Sequence, residues 1–260
     1  MALRLSRWRK DRDPTGTMSM IEHLDELRTR LITSIGAFGA GMLGGWFLFR
    51  PVFNIMAHPF CNFMSSHPKL AINPRDPCRL VYTSVTEPFI IKIKVVAFLG
   101  IALALPVILY QFWRFVTPGL TERERKYAIP FVLSSLALFT LGGFFALLTL
   151  PKGLGFLLGF AGTSNITAVL TIGKYLGFVM LVILAFGAAF EFPLVLISLM
   201  LVGVLSSRQL RGWRRYAIVV IAVIAAVITP SQDWFTMSAL MIPLLVFYEL
   251  SILVGRILKK

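Results

Sequence analysis

Apolar residues fall into six blocks along this chain, separated by stretches in which charge, proline and asparagine gather. The blocks are 31–49, 89–112, 127–150, 175–201, 216–228 and 234–254. Runs of about 18 or more apolar residues with few charges read as membrane-spanning helices. A soluble alternative would bury six long helices on every side, and a chain of 260 residues has too little covering surface for that. The predicted fold is all-α and membrane-embedded, with six transmembrane helices and no soluble domain between them.

Local signals refine these elements. "SMIE" (19–22), "TERE" (121–124) and "SSRQ" (206–209) each place Ser or Thr three residues before Glu or Gln, the pattern of a capping box. The first block is therefore expected to begin as a helix near Met20. Ala37, Gly41 and Gly45 form a small-residue stripe on which another helix can pack closely. The longest connection, 50–88, carries "SSHPKLAINPRDPC" and reads as an outward-facing cap. The fifth block has thirteen residues, about 20 Å of helix against a hydrocarbon core of about 30 Å. The turn after it, "TPSQDW", is short, so the last two spans form a tight hairpin. Pro106, Pro193 and Pro243 lie inside other blocks and are expected to kink them. Kinked long helices beside stunted ones suggest a curved, concave wall.

Charge sets the orientation. If the N-terminus is cytoplasmic, that side receives 18 Lys and Arg, while the opposite loops hold six. This positive-inside bias places both termini in the cytoplasm. The net charge of +14 then needs no nucleic acid, because much of it lies where anionic lipid headgroups attract it. Lys92 and Lys94 sit just inside a block and are expected to snorkel or face water. Hydrophobic residues make up 57% of the chain and charged ones 15%, well below the roughly 25% of a soluble domain. The basic N-terminus is not followed by a short apolar core with a cleavage site, so it is not read as a signal peptide.

Candidate chemistry is sparse. His23, His58 and His67 lack metal-ligand spacing, neither cysteine has a histidine placed to activate it, and no phosphate-binding loop occurs. The expectation is a protein without metal, cofactor or catalytic site. Cys61 and Cys78 share the outward loop, as a disulfide or as two free thiols. Glu191, in "AFGAAFEFPLVLI", lies deep within the fourth block, where a carboxylate is costly. It reads either as a polar docking point or proton site, or as the partner of a backbone carbonyl freed by Pro193. Glu249, near the end of the last block, is within reach of Arg256. Glu26 and Arg30 stand four residues apart as a helix-surface ion pair, and Glu124 is the third residue of its capping box. Both acids nevertheless sit on a strongly basic face beside the membrane. Two such carboxylates suit a ligand bearing guanidinium groups, which bind carboxylate through two parallel hydrogen bonds.

"HLDELRTRL" (23–31), "EPFIIKIKVVAFLGIALALPVILYQFWRFVTPGLTERERK" (87–126), "AFGAAFEFP" (185–193) and the "TP…D" turn resemble the TatC family, the receptor subunits of the twin-arginine protein translocase. The likeness runs in order from about Met18 to Leu258; residues 1–17 form a basic tail outside it. It implies six spans with both termini cytoplasmic, a cupped shape with short fifth and sixth helices, and residence in the bacterial cytoplasmic membrane. It implies binding of twin-arginine signal peptides and export of folded proteins driven by the proton-motive force. Partners would be TatA-like and TatB-like single-span subunits, membrane lipids and further copies of the chain. By the resemblance, Glu26 and Glu124 contact the arginine pair, and Phe115, Pro118 and Leu120 belong to signal recognition. Glu191 matches the polar site used by partner subunits, while Pro59 and Asp233 match outward-side positions. "TPSQD" has one residue more than the usual form of that turn.

Two other readings stand beside this one. A proton-coupled secondary transporter would use Glu191 as its ion site, but the sequence shows no inverted repeat and only one deep carboxylate. An assembly scaffold would bind partner helices without reading signal peptides.

Overall fold

The structure, a computed structural model, describes residues 20–66, 76, 78, 81–116, 128–159, 171–229 and 233–258. Among the described residues are eight helices and no strand: α1 Met20–Ser66, α2 Glu87–Val116, α3 Ala128–Gly159, α4 Ile172–Phe190, α5 Phe192–Leu201, α6 Ser207–Gly212, α7 Arg214–Ile228 and α8 Trp234–Ile257. Among the described residues, five stretches are long and apolar enough to cross a membrane, with α4 and α5 counted together. The fold class is thus all-helical and multi-pass. The fifth block becomes α7, fifteen residues long and outside that set of five.

Three expectations change. First, α1 does not end near residue 49: it runs 47 residues, through Pro51 and Pro59. Pro59 is therefore on a helix and not on a loop. Proline inside a helix costs about 3 kcal/mol. Here the continuation buries Met56, Phe60, Phe63 and Met64 on one face, which offsets that cost. Second, the fourth block is two helices, separated at Glu191, two residues before Pro193. Pro106 and Pro243, in contrast, lie within uninterrupted helices. Third, the last helix is not short. At 24 residues α8 extends about 36 Å, enough to span the hydrocarbon core.

Helix packing rests on glycine where backbones approach. A Cβ built on Gly41 would lie 2.5 Å from the carbonyl oxygen of Gly100, and one on Gly45 would lie 2.8 Å from Leu99 Cβ. The small-residue stripe of α1 is thus its contact face with α2. Gly142 of α3 meets α4 in the same way, 2.6 Å from the carbonyl oxygen of Phe186. The α4–α5 stretch is the most buried of the spans, with Tyr175, Leu176, Val179 and Phe186 at the centre of the core.

One end of the assembly is held by staples. Cys61 and Cys78 are joined as a disulfide, their Cα atoms 4.6 Å apart. Glu87, at the start of α2, accepts from the backbone N–H of Thr83 at 2.8 Å and from that of Gly173, in the first turn of α4, at 3.0 Å. The Ile172 N–H donates to the Val81 carbonyl at 2.9 Å, and the Tyr175 hydroxyl donates to the carbonyl of Met56. The other end carries Glu26, Arg30, the end of α2, α6 and the end of α8. There Ser206 and Gln209 form the expected capping box, and Tyr248 donates to the carbonyl of Leu210 at 2.6 Å. That box starts the six-residue α6, which precedes α7.

Candidate functional site

Glu26 and Arg30 meet as the four-residue helical spacing requires, with Arg30 Nη2 donating to Glu26 Oε1. Arg30 reaches further, donating from Nη1 to the Gln111 carbonyl at 3.3 Å, within the last turns of α2. A helix C-terminus carries partial negative charge, so the guanidinium is doubly favoured there. The contact pins Glu26 against the end of α2 that carries Phe115, which is half-buried. Side-chain exposure is 12% for Arg30 and 21% for Glu26, so the pair is only partly solvated. Among the described residues, Glu26 Oε2 has no hydrogen-bond partner. One carboxylate oxygen is held, and the other is buried without a partner among the described residues. Pro118, Leu120 and Glu124 lie outside the described residues.

A second polar group lies inside the bundle. Glu191 sits at the break between α4 and α5, and its own backbone N–H serves the carbonyls of Ala188 and Ala189. Its side chain does not take up that task; it hydrogen-bonds to Ser135 of α3. Ser135 is fully buried and receives a 2.6 Å hydrogen bond from the indole Nε1 of Trp113 on α2, also buried. An indole N–H can only donate, so the Ser135 oxygen is the acceptor there and its hydroxyl hydrogen is left for Glu191. Glu191 Oε1 has no partner among the described residues. Trp113 and Ser135 carried no mark in the sequence, being ordinary residues of spans and distant from Glu191 along the chain.

The remaining candidates fall into structural roles. Asp233 caps α8: one carboxylate oxygen accepts from the Thr236 N–H at 2.8 Å and the other from its hydroxyl at 2.6 Å. Glu249 pairs with Arg214 across the hairpin at 2.5 Å, not with Arg256 as its position in sequence suggested. Lys92 extends its ammonium over the Trp46 ring, 3.9 Å from the centroid, and Lys94 is exposed. No group of three or more His, Cys, Asp or Glu that could hold a metal ion occurs among the described residues.

Comparison with known proteins gives a consistent picture. The family model for Sec-independent protein translocase protein (TatC) matches residues 22–243. The protein of that name from Aquifex aeolicus is 42% identical over 242 residues, covering 92% of this chain and 95% of that protein. Its counterpart in Frankia casuarinae is 41% identical over 244 residues, and there the match takes in 65% of a longer protein. The crystal structure of a twin-arginine translocase receptor, TatC, superposes with a TM-score of 0.74 at 41% identity, covering 92% of this chain and 100% of that one.

Proposed function

The chain belongs to the TatC family, and on that premise we propose that it is the core subunit of a twin-arginine translocase, a transport component and not an enzyme. In this reading it is a six-span protein of the bacterial cytoplasmic membrane with both termini in the cytoplasm. The arginine pair of a signal peptide docks at the rim that carries Glu26 and Glu124, beside Phe115, Pro118 and Leu120. The peptide's apolar segment lies along the wall of the bundle. TatA-like and TatB-like single-span subunits assemble beside the fourth to sixth spans, with Glu191 as their polar site, several copies of the chain share a receptor complex, and the proton-motive force drives export of folded cargo. The TatC-like unit takes in residues 18–258.

The observation that carries this reading is the state of Glu26. A carboxylate held beside the end of α2 by Arg30, its second oxygen buried and without a partner among the described residues, carries a charge that a second guanidinium would complete once the rim opens to it. Chain connectivity adds to this, because Glu124 follows the end of α2 by eight residues. The test is photocrosslinking of a twin-arginine signal peptide from positions 26 and 124, with a twin-lysine peptide as control. Crosslinks with the arginine form and much weaker ones with lysine are expected. Equal crosslinking of both would favour a scaffold that does not read the signal. Solute uptake by liposomes holding this chain alone is not expected and would favour a transporter centred on Glu191.

A further inference from the structure

The end of α2 is gripped from two sides, and each grip leads to one of the polar groups described above. On one side Arg30 of α1, which holds Glu26, donates to the Gln111 carbonyl at 3.3 Å. On the other, the Trp113 indole donates to Ser135 of α3 at 2.6 Å, and Ser135 bonds in turn to Glu191. Trp113 is 3% exposed and Ser135 is 0% exposed, so neither can turn to solvent instead. The Phe131 ring centroid, 4.7 Å from that of the indole, packs the tryptophan in place. A continuous series of contacts thus runs from Glu26 to Glu191 through the end of α2.

Ser135 is the member of this series with two states. Its hydroxyl has a single hydrogen to give. While the indole N–H occupies its oxygen, that hydrogen goes to Glu191. Accepting from the indole also polarises the hydroxyl and strengthens the bond it donates. A serine inside a helix has a second acceptor within reach, the backbone carbonyl four residues earlier, which here is that of Phe131. Without the indole the polarising effect is lost and that carbonyl competes for the hydrogen. Glu191 Oε1 already lacks a partner among the described residues, so losing the serine would leave the whole carboxyl group unserved. Burying a polar group in that state is costly, which favours capture of a donor carried by a neighbouring span.

We propose, on the receptor reading above, that Trp113 and Ser135 are positioning residues that hold Glu191 while the rim is empty and release it when a guanidinium displaces Arg30 from Glu26. The arriving arginine competes with Arg30 for the carboxylate and loosens the grip of α1 on the end of α2. The indole N–H then draws away from Ser135, the hydroxyl turns to the Phe131 carbonyl, and Glu191 is freed for a donor from a partner helix. Such coupling is reciprocal, so a donor that captures Glu191 raises the affinity of the rim for the peptide by the same factor.

The test uses the full chain in lipid nanodiscs and the apolar carboxyl reagent dicyclohexylcarbodiimide, with the rate of modification at Glu191 read by peptide mass spectrometry. The parent is expected to react slowly, and a saturating twin-arginine peptide to speed it about fivefold, the lower end of ordinary coupling between sites. A twin-lysine peptide should leave the rate unchanged. Trp113→Phe keeps an aromatic ring and removes the N–H, so it should react fast with or without peptide. Ser135→Thr, which keeps the hydroxyl, should behave as the parent does. Phe131→Leu loosens the same packing but spares the N–H, and it should still respond to the peptide. A Trp113→Phe chain that reacts slowly, or that still responds, overturns the proposal. So does a Phe131→Leu chain that copies Trp113→Phe, since packing alone would then account for the effect. An unresponsive parent whose peptide affinity falls in Glu26→Gln overturns the coupling and leaves the receptor reading standing. Peptide affinity indifferent to Glu26→Gln overturns that reading, and the coupling with it.

Discussion

Glu26 holds one oxygen with its own Arg30 and keeps the other without a partner among the described residues, so substitution separates its two roles. Glu26→Gln preserves shape and removes the charge. Hydrogen bonds to charged groups contribute about 1.5–3 kcal/mol, and each 1.4 kcal/mol is a factor of ten. Affinity for a labelled twin-arginine peptide is therefore expected to fall about tenfold or more in Glu26→Gln, measured by fluorescence titration, with the fold intact. Glu191 is different because its neighbours matter for stability. Ser135→Ala would strand the buried Trp113 N–H and remove the hydroxyl that serves Glu191. Leaving a buried donor unsatisfied costs about 1–3 kcal/mol, which should appear as a lower melting temperature in detergent, with Ser135→Thr recovering most of it. These contacts also mark the limit of reading residues from sequence. Glu26 with Arg30 and the oddity of Glu191 were legible, since one obeys helical spacing and the other breaks an apolar run. Trp113, Ser135 and the Arg214 partner of Glu249 were not, because each comes from a different helix and only the assembled bundle brings them together.

Among elements, the contact of α1 with α2 is decided by how little space the stripe leaves. At Gly41 an added Cβ meets a backbone carbonyl at 2.5 Å, and a backbone cannot rotate away as a side-chain tip can. At Gly36, on the same helix, nothing lies within 4 Å. Gly41→Ala is expected to destabilise by about 1–3 kcal/mol through overpacking. Gly36→Ala should be neutral or stabilising by up to about 1 kcal/mol, since alanine is the better helix former. Thermal melting of the two variants side by side checks this; equal effects would mean that α1 and α2 do not pack on the glycine stripe. That stripe was legible because small residues four apart are a local pattern. The length of α1 was masked by Pro51 and Pro59, although Met56, Phe60, Phe63 and Met64 already followed helical spacing beyond residue 49. Punctuation by proline outweighed periodicity in the sequence, and burial against α3 and α4 reversed that ranking in the fold. The break at Glu191 had a visible cause in Pro193, whereas the equally visible Pro106 and Pro243 interrupt nothing. Proline alone does not say whether a helix stops.

At the scale of the whole molecule the two ends are built differently. The end opposite Glu26 is cross-linked: residues 78–87 are tied to α1 by the Cys61–Cys78 disulfide and to α4 by Glu87 and the Val81 carbonyl. Among the described residues, the end with Glu26 is joined by the ion pairs Arg30–Glu26 and Arg214–Glu249 and by hydrogen bonds such as that of Tyr248 to the Leu210 carbonyl. Two constraints on one segment are coupled through it: while either remains the segment stays in place, so loss of both costs more than the two single losses summed. The disulfide closes a loop of 17 residues in sequence separation, for which chain entropy gives about 3 kcal/mol. Reduction of the parent protein should consume part of that, because Glu87 still holds the segment against α4. Reduction of Glu87→Gln should cost more than the two changes summed, as the weakened amide acceptor no longer supports the first turn of α4. Melting curves with and without reductant in both forms measure the coupling, and a strictly additive loss would show that the disulfide and the Glu87 clasp stabilise separate regions. Peptide affinity at the Glu26 end is expected to stay constant through the whole series, because no described contact links the staples to Glu26 except through the length of α1 and α2. A parallel loss of affinity would mean instead that the cross-linked end sets the geometry of the rim from the far side of the bundle.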